Sequence, residues 1–291
     1  MNNALDYVIL TDSTCDLTKD QIRDLELDVI QLSFTLNGNT YKGQEVADLD
    51  TKEFYNAVRN GSMPKTAQVN PEDAEKFLEK YLKNGQNILY IAFSSALSGT
   101  YNSVKIAAEE LSPKYEAQAI VIDSLSASMG EGLMIYYAVQ MKRQGKSIDE
   151  LAAWIEENKL HFCHMFTVDD LHHLHRGGRV SKASAVFGTM LGVKPVLHVD
   201  DEGRLIPVSK VRGRKQSLTA LVDAMEKKIP GYQNEVVFIS HGDSEEDARF
   251  VGDLVKQRFG IKNVFYGVVG PVIGSHSGPG TIALFFRGSK R

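Results

Sequence analysis

Hydroxyl groups and glycines are concentrated in three short segments, each of which follows a strand-like run. The segments are residues 12–14 (DST), 94–100 (SSALSGT) and 270–280 (GPVIGSHSGPG). In open parallel sheets, ligands bind at the carboxyl ends of strands, where helix N-termini leave N–H groups unpaired. Hydroxyls donate hydrogen bonds without adding charge, and glycine lets the backbone approach a ligand closely. The segments therefore predict a site for an anionic oxygen, either a carboxylate or a phosphate.

Two of these features also have simpler explanations, which the sequence alone leaves open. Serines such as those in 94–100 are typical caps for a helix, here the one predicted to begin at Thr100. His276 lies in a turn predicted at 275–280 (SHSGPG), where its ring either meets an anion or bonds to backbone.

Motifs for serine or nucleotide chemistry are missing from the sequence. Neither Ser95 nor Ser98 stands in a G-x-S-x-G elbow. There is no GxxxxGK[ST] phosphate loop, and no GxGxxG follows the first predicted strand. These absences argue against a serine hydrolase, a nucleoside triphosphatase and a nicotinamide-dependent enzyme. The 94–100 loop is predicted to bind without an obvious catalytic group.

Histidines and a cysteine are crowded between residues 161 and 175. The candidate metal ligands are His161, Cys163, His164, His172, His173 and His175. Their spacing matches neither HExxH nor a paired-cysteine site. Residues 162–168 (FCHMFTV) predict a strand, whose alternation places His161 and Cys163 on one face and His164 on the other. We therefore expect no metal site.

Two local groups of basic residues stand out from a mildly acidic chain. One is the turn 176–179 (RGGR), and the other contains Lys210, Arg212, Arg214 and Lys215. Each group is able to recognise a phosphate or an acidic partner surface, or is simply a solvated face. The formal net charge of −4 argues against general nucleic-acid binding, which needs a broad basic surface.

Composition is that of an ordinary folded protein. The chain has 291 residues, of which 43% are hydrophobic and 24% charged, and its length predicts about two domains. No signal peptide and no run long enough to span a membrane are recognised. The two cysteines form no CxxC pair and are predicted to be free thiols. We expect a cytoplasmic protein.

Strand-like and helix-like segments alternate along most of the chain, which is typical of an α/β fold. Thr18 with Gln21, and Ser147 with Glu150, match the capping box that begins a helix. Asn70 followed by Pro71 marks another helix start. After about residue 160 the pattern becomes mixed. We predict two α/β domains, residues 1–160 with a mainly parallel sheet and residues 161–291 with a mixed sheet.

Four motifs, in this order and spacing, resemble those of the DegV family over essentially the whole chain. They are 12–17 (DSTCDL), 94–101 (SSALSGTY), 176–179 (RGGR) and 275–280 (SHSGPG). The resemblance implies two α/β domains that enclose one long-chain fatty acid between them, with no other cofactor. It also implies a non-catalytic, fatty-acid-binding subunit of bacterial fatty acid kinase. A separate ATP-dependent kinase protein would phosphorylate the bound carboxylate, and the acyl phosphate would enter phospholipid synthesis.

The resemblance also implies roles for individual residues. Thr66 and Ser98 would bind the carboxylate, His276 would lie near the same head group, and Arg179 and Arg212 would face the kinase protein. Family members usually have Thr-Ser-Gln-Pro where this chain has 66–69 (TAQV), so one hydroxyl is lost at position 67. Transient membrane contact is compatible with this function. The alternatives are a small-molecule kinase or hydrolase that uses the serine-rich loop, and a lipid shuttle without a kinase partner.

Overall fold

The structure, a computed structural model, describes residues 6–181 and 192–291. The strands are β1 (Tyr7–Asp12), β2 (Asp28–Ile30), β3 (Ser33–Leu36), β4 (Asn39–Tyr41), β5 (Lys65–Ala67), β6 (Asn87–Ala92), β7 (Ala119–Asp123), β8 (Phe162–Thr167), β9 (Val193–Val199), β10 (Leu205–Arg212), β11 (Val236–His241), β12 (Asn263–Val268) and β13 (Ile282–Arg287). The helices are α1 (Lys19–Asp24), α2 (Gln44–Asp48), α3 (Thr51–Arg59), α4 (Pro71–Leu82), α5 (Thr100–Tyr115), α6 (Met129–Arg143), α7 (Ile148–Asn158), α8 (Leu171–Arg176), α9 (Arg214–Lys228), α10 (Glu245–Phe259) and α11 (Pro271–Ser277). Short 3₁₀ helices cover Ser13–Cys15 and Lys159–His161.

The described strands form three sheets. The first has the order β2-β1-β6-β7 and is parallel throughout. The second has the order β10-β9-β8-β13-β11-β12, in which β11 and β12 are parallel and the other pairs antiparallel. A small antiparallel sheet, β4-β3-β5, completes the set. The predicted α/β class, with one parallel and one mixed sheet, is confirmed. The predicted division at residue 160 stays a prediction.

Helix boundaries follow the capping signals read from the sequence. The capping boxes at Thr18 and Ser147 are both present, and the Asn70 side chain accepts from the Asp73 backbone N–H. The turn predicted at 275–280 is wrong in its first part, because 275–277 belong to the helix α11. Pro271 occupies the first turn of α11, where its fixed φ favours a helix and its missing N–H costs nothing.

The helix α6 joins the two larger sheets. It contacts β6 in the parallel sheet and β8, β11 and β13 in the mixed sheet. Leu133 and Ile135 of α6 are fully buried, in an apolar cluster that includes Leu89 of β6 and Phe285 of β13. Because this cluster is continuous, the two sheets are fixed relative to each other around a shared core. The strand ends that carry the polar segments therefore meet in one region.

Candidate functional site

A cavity of about 370 Å³ lies where these strand ends meet. Its volume falls in the range of small-molecule sites, about 300–1,000 Å³. Most of the lining side chains are apolar, and six of them are Phe93, Leu97, Phe166, Val199, Leu205 and Phe285. The lining comes from both the 6–160 and the 161–291 parts of the chain. An elongated apolar ligand would be surrounded by both parts.

Four predicted site residues, Thr66, Ser98, Arg179 and His276, line this cavity together. We call them the outer polar cluster. Thr66 lies on the short strand β5, opposite Phe34 of β3, and His276 lies near the end of α11. Thr66 Oγ1 and His276 Nε2 are 2.8 Å apart, within hydrogen-bond distance. The pairing joins two positions that are 210 residues apart in the chain.

His276 is uncharged at neutral pH. Burial lowers the pKa of its imidazole to about 4, and the positive charge of Arg179 acts in the same direction. The Nδ1 atom of the ring is buried without a hydrogen-bond partner among the described residues. A methyl group on Gly177 would lie 2.1 Å from that atom, so the first glycine of the RGGR turn leaves space for the ring. The cluster therefore presents neutral polar groups beside one guanidinium.

Ser98 follows β6 in the serine-rich loop and serves the fold as well as the cavity. Its hydroxyl oxygen accepts from the Thr100 N–H at 3.2 Å, and it lies 3.0 Å from Thr100 Oγ1. Thr100 Oγ1 in turn accepts from the Val69 N–H at 3.3 Å, which places the segment after Thr66 against the start of α5. The helix-capping explanation thus describes part of what Ser98 does, and the residue lines the cavity as well.

Arg179 connects the RGGR turn to the serine-rich loop. Its Nε and Nη2 atoms donate to the Leu97 carbonyl at 3.2 and 3.1 Å, and Nη1 donates to the Gly177 carbonyl. The side chain is half-buried. Arg212 lies elsewhere, exposed at the end of the edge strand β10 and outside the cavity lining. The structure thus brings Arg179, but not Arg212, to the cavity, and their roles toward a partner stay predictions.

The cavity has a second group of polar lining residues, which are Thr14, Ser128, His164 and Ser240, and of these only Thr14 lies in a segment that the sequence predicted for the site. Thr14 and Ser128 follow β1 and β7, whereas Ser240 lies at the end of β11. Position near a strand end was therefore the available signal for Ser128 and Ser240. His164 Nε2 accepts from the Ala127 N–H at 3.2 Å, and Nδ1 lies 2.9 Å from the Phe162 carbonyl. Both nitrogens are engaged, and burial keeps the pKa of this ring well below its usual value.

Three buried carboxyl groups, Asp12, Asp16 and Glu131, lie behind Thr14 and Ser128. We call them the acid cluster. Burial raises the pKa of all three, and for Asp16 it raises the pKa to about 7. Thr11 Oγ1 contacts both the Ile91 carbonyl, at 2.9 Å, and Glu131 Oε1, at 2.8 Å. A hydroxyl has one proton, which these two oxygens must share unless Glu131 is itself protonated, and burial favours the protonated form. Geometry and burial both indicate a neutral Glu131.

Two of the crowded histidines, His161 and His164, form hydrogen bonds within the fold. His161 Nδ1 lies 3.0 Å from the Gly288 carbonyl and 2.8 Å from the Tyr232 hydroxyl. Across residues 6–181 and 192–291 there is no group of three or more His, Cys, Asp or Glu placed to hold a metal ion. Cys15 and Cys163 are free and buried. Lys182, which follows the RGGR turn, lies outside the described residues.

None of the helices in the described part of the chain is both long and apolar enough to cross a membrane.

Comparison with known proteins gives one consistent family. Residues 6–288 match the family model described as "Uncharacterised protein, DegV family". A DegV domain-containing protein of Clostridium perfringens is 45% identical over 286 residues, which is 98% of each chain.

Solved structures of the same family superpose on this chain over nearly its full length. A DegV family protein from Thermus thermophilus, described as binding fatty acid, is 28% identical, with a TM-score of 0.86 over 97% of this chain and 99% of its own. A fatty acid binding protein from Bacillus subtilis is 27% identical, with a TM-score of 0.84 over 98% and 99%.

Proposed function

The chain belongs to the DegV family, and on that premise we propose that it binds one long-chain fatty acid in the cavity and presents the carboxylate to a separate ATP-dependent kinase. The observation that carries the proposal is the form of the cavity. A mostly apolar lining includes the neutral hydroxyls of Thr66 and Ser98 and the neutral imidazole of His276, beside the guanidinium of Arg179. Two solved relatives are described as fatty-acid-binding proteins.

The apolar lining supports a ligand whose tail provides most of the affinity. Burial of each methylene is worth about 0.8 kcal/mol before the costs of binding, so a dozen contribute roughly 10 kcal/mol. The head group then needs orientation rather than a strong ionic contact. The hydroxyls of Thr66 and Ser98 are suited to that role, because a carboxylate bound by neutral donors keeps more of its nucleophilicity than one paired with two arginines.

Phosphorylation by a partner fits the absence of nucleotide motifs from this chain. In the proposed reaction, a carboxylate oxygen attacks the γ-phosphorus of ATP and the bond to the ADP oxygen breaks, which yields acyl phosphate and ADP. The partner would supply ATP, magnesium and the charge stabilisation, so this chain would be non-catalytic. Arg179 beside the cavity and exposed Arg212 are the proposed partner-facing residues. We place this reaction in the cytoplasm, upstream of phospholipid synthesis.

The deciding experiment is mass spectrometry of lipid extracted from protein purified without detergent. One fatty acid per chain is expected, and its length and unsaturation identify the preferred ligand. An empty protein that also fails to bind added oleate or palmitate would overturn the proposal. Turnover of ATP or of an activated ester by this protein alone would instead identify it as an enzyme.

The kinase step is tested by adding a cognate fatty acid kinase and ATP to the loaded protein. Acyl phosphate, trapped as the hydroxamate, is expected with the native chain and is expected to decrease when Arg212→Ala is used. Fatty acid binding by Arg212→Ala should be unchanged, since that residue lies outside the cavity lining. Binding without acyl phosphate would favour the lipid shuttle.

A further inference from the structure

Asp16 of the acid cluster connects two distant parts of the molecule. It follows the 3₁₀ turn Ser13–Cys15 in a left-handed conformation, with φ at 51°. Its Oδ1 accepts from the Gly270 N–H at 2.9 Å, and its Oδ2 accepts from the Ser128 hydroxyl at 2.5 Å. Gly270 is the N-cap residue of α11, the helix that carries His276. The carboxyl group therefore contacts the start of that helix directly.

The backbone before α11 is fitted closely around Asp16. A methyl group on Gly270 would lie 2.8 Å from Asp16 Oδ1, and one on Gly267 would lie 3.2 Å from the Asp16 carbonyl oxygen. The Tyr55 hydroxyl donates to the Val269 carbonyl at 2.7 Å, which is a second contact with the backbone before α11. Glycine at both positions allows the approach, and any side chain there would push the carboxyl group or the helix away.

The start of α11 determines the position of the imidazole. His276 is six residues after Gly270, which corresponds to about 9 Å along a helix. A short helix moves as a rigid unit, so a displacement at Gly270 reaches the ring. The ring tolerates little movement, because its Nε2 is 2.8 Å from Thr66 Oγ1 and its Nδ1 faces Gly177.

We propose that Asp16 is a positioning residue of the ligand site, which fixes the start of α11 and thereby holds His276 against Thr66. The effect of Asp16 on fatty acid binding rests on the proposed function. The placement of the ring is a property of the protein without ligand. Asp16 lies outside the cavity lining, so it acts through the helix rather than by touching the ligand.

The titratable groups that surround Asp16 carry no positive charge. They are Asp12, Cys15, Glu131 and Tyr55. Among the described residues, no salt bridge to Asp16 is formed. A buried carboxyl group without a neighbouring cation lowers the stability of the folded chain. The presence of such a group at position 16 therefore indicates that its contacts with Gly270 and Ser128 have a role. Asp16 forms hydrogen bonds that a hydrophobic residue at this position would lack.

The test compares Asp16→Ala and Asp16→Asn with Asp243→Asn. Asp243 is a matched control, since it too has φ at 51° and joins the two parts of the chain, through Arg59. The first measurement is the ring ¹⁵N–¹H spectrum of delipidated protein, with the His276 signals assigned from a His276→Asn variant. The second is the affinity for oleate.

We expect Asp16→Ala to shift the His276 signals and to weaken oleate binding by about tenfold, the loss typical of one strong hydrogen bond. Asp16→Asn should have the His276 signals and the oleate affinity of the native chain, because its amide oxygen accepts from the Gly270 N–H. Asp243→Asn should leave both unchanged. If Asp16→Ala fails to fold, Gly270→Ala disturbs the same contact from the helix side and is expected to shift the same signals.

Unchanged His276 signals in Asp16→Ala, or in Gly270→Ala if that variant replaces it, would overturn the proposal. Signals in Asp16→Asn that are shifted as far as in Asp16→Ala would overturn it as well. If the native chain binds no oleate, the proposed function fails, and the ring signals still decide the role of Asp16.

Discussion

The outer polar cluster and the acid cluster lie near the same cavity but use their polar groups in opposite ways. Three residues of the outer polar cluster are partly exposed and have few internal contacts: Thr66, Ser98 and His276. In the acid cluster, Asp12 and Glu131 are fully buried, and both contact the Thr14 hydroxyl. Groups with unused hydrogen-bonding capacity are free to bind a ligand, and groups whose capacity is used hold the fold. Substitutions in the first cluster should therefore change binding, and substitutions of Asp12 and Glu131 in the second should change stability.

The largest effect is expected from Glu131→Ala in the acid cluster. This variant removes a fully buried side chain and leaves the contact with Thr11 unmade, which should lower the free energy of unfolding by about 3 kcal/mol or more. Glu131→Gln should cost less than half as much, because an amide N–H replaces the carboxyl proton that donates to Thr11 Oγ1. Urea denaturation measures both values. An equal loss in the two variants would contradict a neutral Glu131.

The next effect is a change in the pH dependence of stability in Asp16→Asn. Burial raises the pKa of Asp16 from 3.8 to about 7 in the folded chain. Between these two values the unfolded chain loses this proton and the folded chain keeps it, so this group makes the native protein less stable as pH rises. Asp16→Asn removes that contribution, and its stability relative to the native chain should increase from pH 4 to pH 7.

The slope of this increase is at most about 1.4 kcal/mol per pH unit. Urea denaturation of both proteins at four pH values measures it, and the titration of other groups cancels in the difference. Asp48→Asn is the control with the opposite sign, because hydrogen bonds from Lys19 and Gln44 lower the pKa of exposed Asp48. A stability difference that is flat with pH for Asp16→Asn would mean that its carboxyl group ionises as it does in the unfolded chain.

The sequence predicts features that depend on neighbouring residues, and it does not predict those that depend on distant pairings, such as the burial of Glu131. Capping boxes such as Thr18 with Gln21 are local, so they are visible in four consecutive residues. Three members of the outer polar cluster, Ser98, Arg179 and His276, lie in hydroxyl-rich or glycine-rich segments whose order resembles a family, and Thr66 was assigned from that resemblance alone. Glu131 has no such signal, since its burial depends on Thr11, which is 120 residues away. The position of β13 between β8 and β11 depends on equally distant pairings.

A smaller effect, confined to binding, is expected from Gly177→Ala. Its φ of about −70° suits alanine, but the new methyl group would lie 2.1 Å from His276 Nδ1. The ring must shift from its present position beside Thr66, and oleate affinity should fall several-fold while the unfolding free energy changes by less than about 1 kcal/mol. Arg176→Ala, at the exposed neighbouring position, is the control and should bind oleate as the native chain does. Equal oleate affinities in native protein and Gly177→Ala would mean that the position of His276 does not matter for binding.

The smallest change, the loss of one hydroxyl in Thr66→Ala, tests the comparison most directly. We expect the oleate dissociation constant to rise by about fivefold at most, because one hydrogen bond is worth about 1 kcal/mol and the tail keeps its contacts. Stability should stay within about 1 kcal/mol of native, since Thr66 is partly exposed on a short strand. Thr66→Ser retains the hydroxyl and should bind as the native chain does. Isothermal titration separates the two variants. Unchanged affinity in both Thr66→Ala and Ser98→Ala would remove the outer polar cluster from the head-group site and leave the apolar lining as the determinant of binding.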